Sequence, residues 1–383
     1  MQPHDMQPHA SPGGMVLIRH LSAGSAGPAS TMQPPSGNFG GGANTMQYDY
    51  SGTNSVSLTV GEDSTAVIDG TDITASSSGS NGVFATDSGT ALVNDTSIET
   101  MADNSRGLDA TYGGTISANK ITADTQGGHS AIVATDRGGG SISLADATLS
   151  TAGSGSPLLY STGDIQVNNV SGTSSGSQIA GMEGLNTILI KDSTLESTVT
   201  GKTASDPIAN GTIIYQSTSG DAEASTGEHA TFQSVDSTLS SAIGSGSMFY
   251  FTNTTADVVL QNTELDFDTD AATLTDNAAA GSGTGTASDA PITVNVDGTS
   301  TWVVTKDTTI SALNVASGGD GNTVTIVANG KTVVSGSGDV TVTVTGSYST
   351  SVSAGSDTEL SSDTIDRSEF DSRFGTSTAW TMA

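Results

Sequence analysis

The chain has 383 residues, no cysteine, and 40 Asp and Glu against 10 Lys and Arg, which gives a formal net charge of -30. This charge argues against nucleic acid and anionic membrane as partners, and the lack of cysteine excludes disulfides and thiolate chemistry. Only 4% of the residues are aromatic and 48 are glycine, so large side chains cannot fill a big globular core.

Residues 1–45 are predicted to be a disordered or loosely attached tail, because this Gly-, Pro- and Ser-rich stretch has no periodicity. Its His4 and His9 are two isolated ligands and make a poor metal site. The apolar run 15–18 is shorter than the ~7–15 residues of a signal-peptide core and the ~18 residues of a membrane span. No targeting signal is visible, so in an exported protein the signal has been removed or lies outside this chain.

After the tail, Val56, Leu58 and Val60 alternate with polar residues. Alternation of this kind predicts a strand, which we interpret as part of the first coil or its cap. The nearby Tyr48 and Tyr50 are candidates for closing the end of the stack, since an open terminal coil would expose strand edges.

Residues 130–151 show the repeating unit: three short apolar pieces separated by polar corner sequences. The first piece recurs at spacings of 25, 24, 26 and 21 residues, at Val83, Leu108, Ile132, Leu158 and Ile179. The second piece recurs at Leu92, Ile116, Ile142, Ile165 and Ile188, and the third at Ile98, Ile121, Leu149, Val170 and Leu195. Such a period predicts an all-β solenoid with about three strands per coil, residues 46–290 forming its body.

A polar corner also recurs, centred on Asp95, Asp146, Asp192 and Asp236. Short polar side chains suit corners because they bond to the adjacent backbone and tolerate turn geometry. An array of β-sandwiches and a disordered chain are the alternative folds, but disordered acidic chains lack β-branched residues in register.

Beyond residue 200 the coils lengthen, and we predict insertions looped out of the tube at 200–210, 217–228 and 268–290. The aromatic run Met248–Phe251 is interpreted as core. Residues 291–383 are predicted to form tighter terminal coils or a small capping sheet, with a tight turn at Asn329-Gly330. The aromatic C-terminal stretch is predicted to fold over the last coil as a lid.

Several segments resemble a known family: GGGANTMQYDYSG, GSGSPLLYSTGDIQVNNVSGT, TSTWVVTKDTTISALNV and DRSEFDSRFGTST. They are similar to secreted adhesin-like right-handed parallel β-helix proteins of gut bacteria, and more distantly to autotransporter passenger domains and the pectate-lyase-like superfamily. The resemblance covers roughly residues 40–383. It implies a single-stranded right-handed parallel β-helix at the bacterial cell surface or outside the cell, and it supplies no catalytic residues.

Asp109, Asp136 and Asp164 occur once per successive coil, with Arg106 and Arg137 nearby. On one face they would form a carboxylate ladder able to contact a cation or ligand. The plain interpretation is a row of corner aspartates. A polysaccharide lyase or glycosidase, which needs paired carboxylates, is the alternative, and basic residues for such a groove are scarce.

Corner carboxylates also suit Ca²⁺, but no nonapeptide calcium array is present, so only weak, dispersed binding is expected and no cofactor is predicted. An ice-binding face needs coils of constant length with Thr-x-Thr on each, whereas the coils here vary from 21 to 36 residues. The interpretation that remains is a surface rod that contacts a glycan or protein multivalently and is not an enzyme, with no membrane insertion. The ligand, the anchor and the oligomeric state are left open.

Overall fold

A computed structural model describes residues 15–20, 50–217, 222, 230–252, 254, 256–268, 270–276, 292–296, 301–316, 323–352, 360–378 and 380–383. Strands in the first half are β1 (Met15–His20), β2 (Ser57–Val60), β3 (Thr65–Asp69), β4 (Asp72–Ala75), β5 (Val83–Thr86), β6 (Thr90–Thr100), β7 (Leu108–Ala110), β8 (Gly114–Thr125), β9 (Val133–Thr135), β10 (Gly140–Thr151), β11 (Leu159–Ser161), β12 (Asp164–Ser174), β13 (Ala180–Glu183), β14 (Thr187–Lys191) and β15 (Thr194–Ser197).

Strands in the second half are β16 (Asn210–Tyr215), β17 (Ala230–Val235), β18 (Thr238–Ser241), β19 (Ser247–Thr252), β20 (Ala256–Gln261), β21 (Glu264–Phe267), β22 (Ala272–Asp276), β23 (Ile292–Val296), β24 (Thr308–Ile310), β25 (Ala312–Val315), β26 (Thr325–Ala328), β27 (Lys331–Val334), β28 (Thr341–Val344) and β29 (Tyr348–Ser349). A short helix, α1 (Ser368–Phe374), follows them.

The strands stack in parallel and wind a β-solenoid with three faces, as predicted. Face 1 is a nine-stranded sheet in the order β2-β5-β7-β9-β11-β13-β16-β19-β22. Face 2 contains β3, the first halves of β6, β8, β10 and β12, and then β14, β17 and β20. Face 3 contains β4, the second halves of the same long strands, and then β15, β18 and β21.

The bend between faces 2 and 3 is made by one residue per coil in the left-handed region. All seven non-glycine residues at this bend have positive φ: Asp95, Lys120, Asp146, Asn169, Asp192, Asp236 and Asn262. Asn and Asp adopt this conformation most readily because their short side chains bond locally. Asn169 Nδ2 donates to Asp146 Oδ1 at 2.6 Å, and Asn262 repeats the contact with Asp236. The predicted aspartate corners are thus confirmed.

The interior is a continuous aliphatic column. On face 2, Ile116, Ile142, Ile165 and Ile188 stack in direct register, and each is fully buried. The column gains Phe232 and Val258 in the later coils. Because each coil contributes only a few apolar side chains, the stacking of neighbours supplies the burial that a single coil lacks.

The predicted first-strand column is correct in burial and off by one residue in register. Val83, Leu108, Ile132, Leu158 and Ile179 are all fully buried in one core. However, Leu108 pairs with Val133, and Val133 with Leu159. Ile132, Leu158 and Ile179 immediately precede β9, β11 and β13 and are buried in the core as well. Aligning the largest aliphatic residues therefore pairs Leu108 with Ile132 in place of Val133.

The insertions leave the stacking intact. Thr194 pairs with Thr238 across 44 residues of chain, as adjacent members of face 3. The extra length at 200–210 therefore leaves the tube, as predicted, while most of 217–228 lies outside the described residues. The prediction for 268–290 is wrong in part, because Ala272–Asp276 forms β22 and pairs with β19 on face 1, while 277–290 lie outside the described residues. Met248, Phe249 and Phe251 are in the core, which confirms the interpretation of that aromatic run.

Within the predicted N-terminal tail, 1–45, the structure describes one segment, the strand β1. This strand pairs antiparallel with β20 on one side and with β23 on the other. The run of Val, Leu and Ile that is too short for a signal peptide is long enough for a strand. Tyr50 does not close the end of the stack: Arg137 lies 4.4 Å from its ring centroid, beside face 1. Tyr48 is outside the described residues.

The C-terminal region continues and caps the stack. β23, β25 and β29 pair in parallel, while β24, β28, β26 and β27 form a separate four-stranded sheet. The predicted turn is confirmed: Asn329 and Gly330 both have positive φ between the antiparallel strands β26 and β27.

The predicted lid is wrong in its position. Residues 360–378 and 380–383, named here the C-terminal strap, lie along the outer side of face 2. Gln233 on β17 bonds to Ser361, Gln166 on β12 bonds to Ile365, and Thr65 on β3 donates to Glu369. The strap therefore runs back toward the N-terminal coils, because the polar and apolar side chains that receive it project outward from face 2.

Candidate functional site

Two of the three predicted site aspartates converge. Arg106 Nη1 lies 3.1 Å from Asp109 Oδ2 and 2.6 Å from Asp136 Oδ2. Asp109 is on β7 and Asp136 follows β9, so adjacent coils of face 1 supply the two carboxylates. The three residues are 8% exposed or less. The arrangement is a buried ion cluster, since none of its members faces an open groove.

This cluster belongs to a larger buried polar network on the outer side of face 1. The Arg106 guanidinium lies 5.7 Å from the ring centroid of Tyr160, and the Tyr160 hydroxyl donates to Glu183 at 3.0 Å. Burial above all, and then Tyr215 and Glu183, raise the pKa of Tyr160 well above its usual value. Tyr160 is therefore a neutral hydrogen-bond donor at physiological pH.

Asp164 lies elsewhere, so the three aspartates do not form one ladder. It begins β12 on face 2, where both of its carboxylate oxygens are 3.2 Å from Gln166 Nε2. Burial raises its pKa to about 6, the Gln166 bond opposes this, and Asp363 adds to it. The predicted spacings of 27 and 28 residues exceed the coil lengths of 25 and 26, so each aspartate falls farther along its coil.

Face 3 carries an unbroken column of exposed hydroxyl side chains, which sequence reasoning missed. Six successive coils place an outward Ser or Thr in direct register: Ser97, Thr122, Thr148, Ser171, Thr194 and Thr238. All six are exposed or partly exposed, and their strand neighbours point into the core. We name this column the hydroxyl ladder.

A second outward column runs beside it, two residues farther along each strand. In register order it contains Thr74, Glu99, Asp124, Ser150, Thr173, Glu196, Ser240 and Asp266. Four of these eight side chains are carboxylates, and all eight are exposed or partly exposed. Together the two columns make face 3 a hydroxyl- and carboxylate-rich surface.

Unequal coil lengths do not interrupt the hydroxyl ladder, because the extra residues leave the tube at other corners. The spacing of the outward side chains follows from strand geometry. Residues in register on adjacent strands lie about 4.8 Å apart along the rod, and alternate residues of one strand lie about 7 Å apart across it. Hydroxyls can donate and accept while carboxylates only accept. The two columns contain no aromatic ring, so this surface offers hydrogen-bonding groups and no stacking platform.

The described parts of the chain hold no group of three side chains able to share a metal ion, and no helix there is long and apolar enough to cross a membrane. Comparison with protein-family models, with curated proteins and with solved structures gives no match.

Proposed function

We propose that the protein is an extracellular or cell-surface rod that adheres to a glycan or protein of a host or neighbouring cell. The observation that carries the proposal is the hydroxyl ladder, which presents the same chemistry in six successive coils. A polymer with a repeating polar surface contacts such a ladder at several points at once. Many weak contacts then add up, because each one raises the effective concentration for the next.

The scaffold supports this mode of binding in two ways. The ladder residues alternate with buried core residues on hydrogen-bonded strands, so little conformational entropy is lost on attachment. The net charge of -30 favours neutral or basic partners over anionic ones. A neutral glycan, whose hydroxyl groups both donate and accept, fits the two columns best.

The test is a glycan and mucin binding screen, followed by the variant Thr122→Val/Thr148→Val/Thr194→Val. Valine keeps the shape and β propensity of threonine and removes its hydroxyl. We expect the best ligand of the screen to bind at least about tenfold more weakly, since each lost hydrogen bond is worth about 0.5–1.5 kcal/mol.

The matched control is Thr332→Val/Thr364→Val/Thr381→Val, three exposed threonines outside face 3, which should leave binding unchanged. Equal binding by the ladder variant and the control would contradict the proposal. Cleavage of acidic polysaccharides, measured in parallel, would favour an enzyme instead.

A further inference from the structure

The C-terminal strap is held by two glutamines that project outward from face 2. Gln233 Nε2 donates to Ser361 O at 3.2 Å, and Ser361 N donates to Gln233 Oε1 at 2.7 Å. Gln166 repeats the pattern: its Nε2 donates to Asp363 O at 3.1 Å and its Oε1 accepts from Ile365 N at 3.0 Å. Each side-chain amide thus donates one hydrogen bond to the strap backbone and accepts one from it, as the backbone of a neighbouring strand would.

The strap covers an outward column of face 2 from the second coil onward. The members of this column are Leu92, Ser117, Ser143, Gln166, Leu189, Gln233 and Val259. All are at most 4% exposed, whereas Val67, the member of the first coil, is 39% exposed. An outward column on a solenoid face would otherwise be open to solvent, as the columns of face 3 are.

Gln166 connects the strap to a titratable group. Its Nε2 contacts both oxygens of Asp164, and its Oε1 also accepts from Trp380 Nε1 at 3.2 Å. Three strap residues therefore depend on one glutamine that lies against a half-buried carboxyl group.

We propose that the C-terminal strap is a pH-dependent latch, which closes on face 2 more tightly in acid than at neutral pH, with Asp164 as its sensor. When the latch opens, Gln166, Gln233 and Leu189 become accessible. This proposal concerns face 2 and is independent of adhesion through face 3.

The direction of the pH effect on strap closure follows from the surroundings of Asp164. Asp363 of the strap is the charged group that faces it, and its register neighbours Ser141 on β10 and Thr187 on β14 are uncharged. With the strap closed the pKa of Asp164 is about 6, and its ordinary value is 3.8. The closed state therefore binds the proton more tightly, so closure is favoured at low pH and weakens as pH rises through about 6.

Three other strap residues have shifted pKa values, and these values lie outside this range. Hydrogen bonds from Ser368 lower the pKa of Asp366, and hydrogen bonds from Thr376 and Thr378 outweigh burial to lower that of Asp371. Burial lowers the pKa of Arg367 only to about 10. Between pH 5 and 7.5 the latch therefore responds to Asp164.

Hydrogen exchange at the amide of Ile365, which donates to Gln166, tests the proposal directly. After correction for the intrinsic exchange rate, we expect its protection factor to fall about tenfold between pH 5 and 7.5. In Asp164→Asn, whose amide stays neutral and still accepts from Gln166, the protection should be high and independent of pH.

The control Asp266→Asn removes an exposed carboxylate of face 3 and should keep the tenfold fall. Asp363→Asn, which removes the facing charge and leaves Asp164 in place, should give a smaller fall. Wild-type protection that does not change with pH, or an equal fall in wild type and Asp164→Asn, would overturn the proposal.

Discussion

Replacing Arg367 with alanine is expected to lower the free energy of unfolding by about 3–5 kcal/mol and to release the C-terminal strap. Arg367 is 4% exposed. Its Nη1 donates to the backbone oxygen and hydroxyl of Ser143 at 2.8 and 2.7 Å, and its Nη2 donates to Ala118 O and Asn119 Oδ1. The guanidinium also lies within 4.7 Å of the ring centroids of Phe370 and Trp380.

The expected loss is large because alanine leaves these buried acceptors without their donor and opens a space between the two rings. Urea unfolding and limited proteolysis of the strap measure the two effects. The matched control is Arg373→Ala, since Arg373 is exposed in the last turn of the same helix and should change stability by at most about 0.5 kcal/mol. Equal stability of the two variants would show that Arg367 does not hold the strap.

Replacing Gly153 with alanine is expected to destabilise the protein by about 3 kcal/mol or more. Gly127, Gly153 and Gly176 occupy the corner that leads from face 3 to face 1 in three successive coils. A Cβ on Gly153 would overlap the carbonyl oxygen of Gly127, and a Cβ on Gly127 would overlap that of Ala102. Backbone lies against backbone here, so only a local separation of the coils can make room.

Gly128→Ala is the control, because it adds the same methyl group beside a movable side chain, 3.4 Å from Asp103 Oδ1. Thermal and urea unfolding of both variants provide the comparison. We expect Gly128→Ala to be much less destabilising. A Gly153→Ala protein as stable as Gly128→Ala would mean that the coils are farther apart at this corner than the structure places them.

The features that could be predicted from the sequence are those set by short-range chemistry. The corner aspartates were found because a bend with positive φ restricts which residues can occupy it. The aliphatic column of face 2 was found because Ile116, Ile142 and Ile165 recur at almost constant spacing. Both signals repeat in each coil, so one irregular coil does not hide them.

The features that were missed depend on contacts between distant parts of the chain. Leu92 was assigned to the core in place of Ala91, but Ala91 pairs with Ile116 in the interior, and Leu92 points outward and is buried on face 2. Nothing near Leu92 in the sequence indicates that a strap from residue 360 onward covers this column. Asp164 was misplaced because each spacing between the three aspartates is two residues longer than the coil it spans.

The hydroxyl ladder was missed for a related reason. Ser and Thr are common throughout the chain, so those that face outward in register do not stand out. Other hydroxyls are buried: Ser105 Oγ accepts from Ser80 N, and Ser130 Oγ accepts from Ser105 N. Only the register of the strands distinguishes the exposed hydroxyl ladder from buried hydroxyls such as those of Ser105 and Ser130.

Disulfide trapping of Thr194→Cys/Thr238→Cys is the most direct test of the central claim, that stacked coils keep their register past the insertions and so make face 3 continuous. The chain has no cysteine of its own, so any disulfide formed within the chain must join the two introduced cysteines. These two residues are direct neighbours on β15 and β18, within the Cα separation that a disulfide allows, whereas a diagonal pair is about 7–8 Å apart. The structure predicts rapid oxidation of this pair and slow oxidation of Thr194→Cys/Ser240→Cys. Faster oxidation of the diagonal pair, or oxidation of neither, would contradict it.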